Sequence, residues 1–102
     1  MPASDTESGW AAVVINYEAG EALRECVRSL LDDTSAGQPP EVVVVDNGSS
    51  DGSAAAVARS FPAVTVLHPG ANLGYARAAN LGIAATNLDL AWDGTKCTAG
   101  NT

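Results

Sequence analysis

Basic side chains are scarce in this 102-residue chain, with five Lys and Arg against twelve Asp and Glu and a formal net charge of -7. Holding a nucleic-acid backbone takes clustered Lys and Arg, so nucleic acid is excluded as the main partner. A single histidine, His68, sits at the end of a predicted strand and gives a Ser/His/Asp triad no support. The two cysteines, Cys26 and Cys97, lie far apart with no paired Cys or His spacing, which argues against zinc or a redox motif. A reduced, cytosolic pair is the expectation. No apolar run approaches the roughly 20 residues of a membrane span. The first nine residues are polar and acidic, unlike a secretory signal. The chain therefore reads as soluble and cytoplasmic, at most peripheral to the inner face of a membrane through a partner.

What is present is a globular composition, 46% hydrophobic and 17% charged, enough for one small domain. A domain of this length buries somewhat over 60% of the surface its unfolded chain exposes, so a missing element would be felt. The most informative stretch runs from Glu41 to Ser53. Val42 to Val45 are four β-branched residues in a row, bounded by Pro40 and a polar turn, and read as a strand buried on both faces of a parallel sheet. Behind them come Asp46 to Gly52 and then a helix-forming run from about Ser53 to Ser60, with Ser50 or Asp51 as cap. In open α/β sheets ligands bind outside the carboxyl ends of the strands, which is where Asp46 falls.

Taken in order, residues 1–10 are expected to be a flexible tail. Trp10 to Ile15 is a first apolar strand, and Ala22, Leu23, Cys26, Val27, Leu30 and Leu31 recur at helical spacing, predicting a helix that ends near Asp32 or Asp33. Thr34 to Pro40 is a loop. The second helix stops before Phe61 and Pro62, because a residue ahead of proline is pushed out of the helical region. Val64 to Leu67 predicts a third strand, His68 to Asn72 a turn, and Gly74 to Ala85 a third helix weakened by Gly74 and Gly82. The order β-α-β-α-β-α is the N-terminal half of a doubly wound, mostly parallel sheet. Beyond Thr86 the pattern fails; 87–102 is expected to be an unmatched, disordered tail, with a weak alternation over Asn87 to Trp92.

The turn after the second strand admits bland readings. Asn47-Gly48 is a hairpin signal, but no second strand follows it. A calcium loop would need a bidentate Glu where Val57 stands. Asn47-Gly48-Ser49 matches a glycosylation acceptor, but nothing indicates secretion. A dinucleotide-binding fold needs three glycines where Asn16 to Gly20 has one, and no phosphate-binding Gly-Lys-Ser/Thr loop exists. Asp46 remains either a ligand contact or a polar turn residue. Asn72 and Asn80 can be a helix cap and a solvated residue, or can share a crevice with Asp46 and Arg77.

Three runs carry a family resemblance: Val13 to Tyr17, Val43 to Ser53, and Asn72 to Ile83. In their order and spacing they resemble the inverting family 2 glycosyltransferases over residues 11 to about 85, with the look of the bacterial rhamnosyltransferase-like branch. The resemblance implies a type A glycosyltransferase fold that binds a nucleoside diphosphate sugar, a UDP- or dTDP-sugar, in cell-envelope polysaccharide synthesis. It implies that Ile15, Asn16 and Tyr17 pack on the base and that Asp46 accepts a hydrogen bond from it. Asn72 and Gly74 would lie near the ribose and phosphates, with Arg77 facing the same crevice. Asp51 fits a cap for the second helix, and Asn47 a structural turn residue.

The complete family enzyme also needs Mg²⁺ or Mn²⁺ on an Asp-x-Asp signature and, later, a carboxylate base. No catalytic residue and no metal site is assigned here. Asp89 and Asp93, four apart and without a strand before them, are the nearest approach to metal ligands. The chain alone is expected to be truncated or frame-shifted after about Ala85, to be inactive, and to bind no metal tightly. An unpaired edge on the first strand would invite self-association. The alternative reading is a non-catalytic nucleotide-binding or protein-interaction remnant.

Overall fold

Runs of β-branched residues pack well only where both sides of the chain meet apolar neighbours, and the central strands of this protein are made of such runs. The structure, a computed structural model, describes residues 10–35, 37–86 and 97–100. Its strands are β1 (Ala11–Tyr17), β2 (Glu41–Asp46), β3 (Thr65–Leu67) and β4 (Cys97–Gly100). Its helices are α1 (Glu21–Leu31), α2 (Ser53–Ser60) and α3 (Tyr75–Ala85). The sheet order is β3-β2-β1-β4, with every neighbouring pair parallel. This is the α/β architecture expected from the sequence.

Val42, Val43, Val44 and Val45 are all buried, and alternate residues serve opposite sides. Val14, Val42 and Val44 join Leu23 and Val27 of α1, Val57 of α2 and Val64 in one cluster. Val13, Ile15, Val43 and Val45 face Ala78 and Ala79 of α3 in the other. Two half-cores thus share one layer of backbone. On the second side the helix comes close: a Cβ at Gly82 would collide with Val13 Cγ1 and stand 3.1 Å from Val45 Cγ2. A glycine that weakens the helix in isolation is what lets α3 seat on the sheet.

Helix ends follow local chemistry. α1 carries Glu21 in its first turn and Arg28 in its last, complementing the helix dipole, and stops with Asp32 as its C-cap. At α2 the cap residue is Gly52, in the left-handed region with φ 79°, and not Ser50 or Asp51. Asp51 instead closes a turn one residue earlier, its carboxylate accepting from the Ser53 backbone N–H at 3.0 Å. Gly74 lies just outside α3 at φ 81° and is not its first residue.

Four expectations differ from the structure. The edge of β1 is not open from Val14 to Tyr17, because β4 pairs with it there and takes up its backbone donors and acceptors. That strand lies inside the stretch expected to be a disordered tail. Trp10, placed with the N-terminal tail, accepts from the Glu41 backbone N–H at 3.0 Å and so is tied to the sheet. Cys26 is disulfide-bonded and no cysteine is free among the described residues, so the reduced pair fails. The backbone of α1 runs alongside β4. Residues 1–9, the weak alternation at Asn87 to Trp92, and Asp89 and Asp93 lie outside the described residues. Among the described residues no helix is long and apolar enough to cross a membrane.

Candidate functional site

The connections from β1 to β2 and from β2 to β3 step one way across the sheet, and the chain then returns to place β4 on the far side of β1. Such a reversal opens a crevice at the carboxyl ends of the strands beside it. The residues at that end of β1 are Asn16 and Tyr17, and Asn16 stands in register with Asp46 on β2.

Asn16 is fully buried and acts as a hub. Its Nδ2 lies 3.2 Å from Asp46 Oδ1, 3.2 Å from Ser49 Oγ and 2.8 Å from Ser53 Oγ. The two amide protons are shared among these three acceptors. Asp46 Oδ1 also accepts from the Ser49 backbone N–H at 3.3 Å. One carboxylate oxygen of Asp46 is thereby fixed by two donors, while Oδ2 has only the His68 imidazole, 3.7 Å from Nδ1, beside it among the described residues. The Asp46 side chain is 12% exposed and that of His68 58%.

Two loops are pinned around this hub. After β1, Glu18 takes the left-handed φ of 52°, a conformation that costs a non-glycine residue about 1–2 kcal/mol. It is held there by its own N–H donating to Ser49 Oγ at 2.8 Å, and by its carboxylate accepting from Ser50 N–H at 2.8 Å and Ser50 Oγ at 3.0 Å. Gly20 N–H donates to Asp51 Oδ2 at 2.9 Å. The Ser53 hydroxyl and N–H at Asp51 hold that carboxyl below its ordinary value of 3.8. Strain kept in place by several contacts beside a crevice is a feature of ligand sites.

The loop after β3 is joined to β2 directly. Asn47, fully buried, accepts from Leu73 N–H at 2.6 Å. At Gly48, φ 91°, a Cβ would come within 2.9 Å of the Asn72 backbone nitrogen, so only glycine permits the approach. Asn72 Oδ1 accepts from Gly74 N–H at 2.8 Å, an Asx turn ahead of α3. Asn16 Oδ1 and Asn47 Nδ2 are buried without a hydrogen-bond partner among the described residues.

The anticipated site residues are thus distributed unevenly. Asn16 and Asp46 are in contact, and Asn72 and Gly74 are brought to the same edge of the sheet through Asn47 and Gly48. Tyr17 is half-buried at the strand end. Ile15 is 1% exposed and packed in the core against α3, so its side chain offers no surface to a base; the Asn16 side chain is likewise enclosed. Arg77 is exposed on α3 with no side-chain partner among the described residues. The sequence reading missed Glu18, Ser49, Ser53 and His68. His68 had one available signal, since it follows the third strand at the level where Asp46 follows the second.

No group of three or more His, Cys, Asp or Glu stands together among the described residues. Asp51 and Glu18 are committed to hydrogen bonds within the loops and Asp46 has only Oδ2 to offer, so their donor set does not fit a Mg²⁺ or Mn²⁺ ion.

A sequence model of glycosyl transferase family 2 matches residues 11–92. Over 72 residues the chain is 39% identical to N-acetylglucosaminyl-diphospho-decaprenol L-rhamnosyltransferase from two strains of Mycobacterium tuberculosis, CDC 1551 / Oshkosh and ATCC 25618 / H37Rv. Each match takes in 71% of this chain, which spans only 23% of the length of these relatives.

Proposed function

The chain belongs to glycosyl transferase family 2, and from that premise we propose that residues 11–86 form the donor-binding half of a sugar transferase. A nucleoside diphosphate sugar, UDP- or dTDP-linked, lies across the carboxyl ends of β1 and β2. Asp46 accepts a hydrogen bond from the base, and Tyr17 covers the base at the strand end. The turn from Asn72 to Gly74 lies beside the ribose and phosphates, with Arg77 supplying positive charge. Ile15 and Asn16 act from beneath, by packing and by hydrogen bonding, and not as contact surfaces. The observation that carries this reading is Asp46: one oxygen is fixed by Asn16 and Ser49, and the second is left for a donor.

The sugar is a hexose or deoxyhexose, and the two mycobacterial relatives favour rhamnose and a polyprenyl-linked acceptor in envelope assembly. Transfer to an acceptor hydroxyl inverts the anomeric centre and takes a carboxylate base, which these 102 residues are not proposed to supply. Taken alone they bind donor and do not complete transfer. The divalent ion of the family would rest on ligands beyond the described residues. The step is placed at the cytoplasmic face of the membrane. In a reducing cytoplasm the Cys26 disulfide would open, leaving α1 held by core contacts such as Leu23 and Val27.

Calorimetric titration of the 102-residue chain with uridine and thymidine diphosphates, with and without Mn²⁺, tests the reading. Asp46→Asn is expected to weaken binding about tenfold or more, the loss of a charge-assisted hydrogen bond. Equal affinity in the variant would refute the role of Asp46, and no binding of either nucleotide would refute the donor site.

A further inference from the structure

His68 stands at the sheet's carboxyl edge, next to the one oxygen of Asp46 that the fold leaves open, and an imidazole is a group that can carry charge. Asp46 Oδ1 is saturated by Asn16 Nδ2 and Ser49 N–H. A ligand's N–H must therefore address Oδ2, on the side where the imidazole stands at 3.7 Å. With the Asp46 side chain 12% exposed, there is little room for two donors to approach together.

The surroundings of His68 leave Asp46 as its electrostatic partner. β3 packs against β2 and α2, and its Leu67 also joins the cluster that takes in Ala78, Ala79 and Tyr75 of α3. β2 brings Glu41 at its opposite end and Asp46 at this one, and α2 brings Arg59 in its last turn. The loop that follows, Pro69 to Gly74, carries no titratable side chain. Arg77, on α3, is exposed and in no ion pair among the described residues.

We propose that His68 is a positioning residue for the donor's base: its imidazolium and the base N–H compete for Asp46 Oδ2, so that donor affinity depends on the charge of His68. The inference rests on the donor-binding reading above and adds the group that regulates it. A neutral imidazole leaves Oδ2 to the base. A charged one draws the carboxylate toward itself, and the base must displace it. Linkage makes the effect reciprocal, so a bound nucleotide lowers the proton affinity of His68.

The test is titration of the chain with uridine diphosphate at about pH 7.5 and about pH 5.5, on wild type and His68→Gln, whose side chain stays neutral throughout. Acidification is expected to weaken binding to wild type by about threefold to tenfold more than binding to the variant, which carries the nucleotide's own titration as a baseline. His68 is well exposed, so the variant is expected to fold, and circular dichroism checks it. Since the chain has one histidine, its imidazole resonances can be followed without assignment, and nucleotide should move their titration toward lower pH. The same pH response in both proteins overturns the competition while leaving the donor site intact. No nucleotide binding at either pH overturns both. If Asp46→Asn leaves the histidine's titration unmoved, the pairing itself is wrong.

Discussion

Replacing Gly82 by alanine separates two opposed effects on α3. In an exposed helix interior the change would stabilise by about 1 kcal/mol through helix propensity. Here the added methyl would collide with Val13 Cγ1 and stand 3.1 Å from Val45 Cγ2 and 3.3 Å from Val13 Cγ2. Relaxed carbon–carbon contacts lie near 3.5–4.0 Å, so the helix must lift off the sheet or Val13 must turn. Val13 is 3% exposed and Val45 0%, so both are enclosed by packed neighbours. Overpacking of this kind costs about 1–3 kcal/mol, and subtracting the propensity gain leaves a net loss of up to about 2 kcal/mol. Urea unfolding followed by circular dichroism should show a lower midpoint at unchanged slope. The double variant with Val13→Ala should recover part of the loss, because the new methyl fills the space that Val13 vacates, giving a coupling of about 1 kcal/mol or more. If Gly82→Ala stabilised the protein by the propensity gain, α3 would not seat on the sheet as described.

Two further predictions concern the loops. Asn47→Ala removes the acceptor for Leu73 N–H and should lower stability by about 1–3 kcal/mol in the same unfolding assay, with no loss if that N–H finds water instead. Asp51 is held below its ordinary value by Ser53, so its contribution to stability is present above the unfolded carboxyl's titration and fades as pH falls through the lowered folded one. Between about pH 5 and about pH 2.5 the wild-type urea midpoint should therefore fall further than that of Asp51→Asn, and parallel falls would remove Asp51 from the acid response.

The sequence was most legible where one physical rule dominated. Val42 to Val45 could only be a strand covered on both sides, and the spacing of Leu23, Val27, Leu30 and Leu31 could only be one stripe of a helix. The place of Asp46 at the end of its strand followed from where the valine run stops. The partnerships of the site were not legible, because they join residues about 30 positions apart through turn geometry: Asn16 with Ser49 and Ser53, Glu18 with Ser50. The burial of the Ile15 side chain was hidden for a related reason. Periodicity of two places every second residue of β1 on the α3 side, and family likeness at a strand end does not say which side chain emerges. Gly82 read as a weakness of the helix because its benefit lies in Val13, far away in sequence. β4 escaped notice since Cys97 to Gly100 is only four residues long, with Thr98 its one β-branched residue.

The valines of β2 raise a question of alignment. Being apolar on both faces, Val42 to Val45 would bury as well if the strand slid by one residue, so hydrophobicity alone leaves the pairing with β1 ambiguous. A slip would trade places between Asp46 and Asn47, turning the charge into the core side and the amide out. What opposes it is polar: Asn47 N–H on the Asn16 carbonyl at 2.7 Å, Asn16 Nδ2 on Asp46, and Asn47 on Leu73. The residues at the rim of the crevice are thus the alignment marks of the sheet. Mutations there would be expected to scramble strand pairing as well as recognition, and selection on either property would preserve the other.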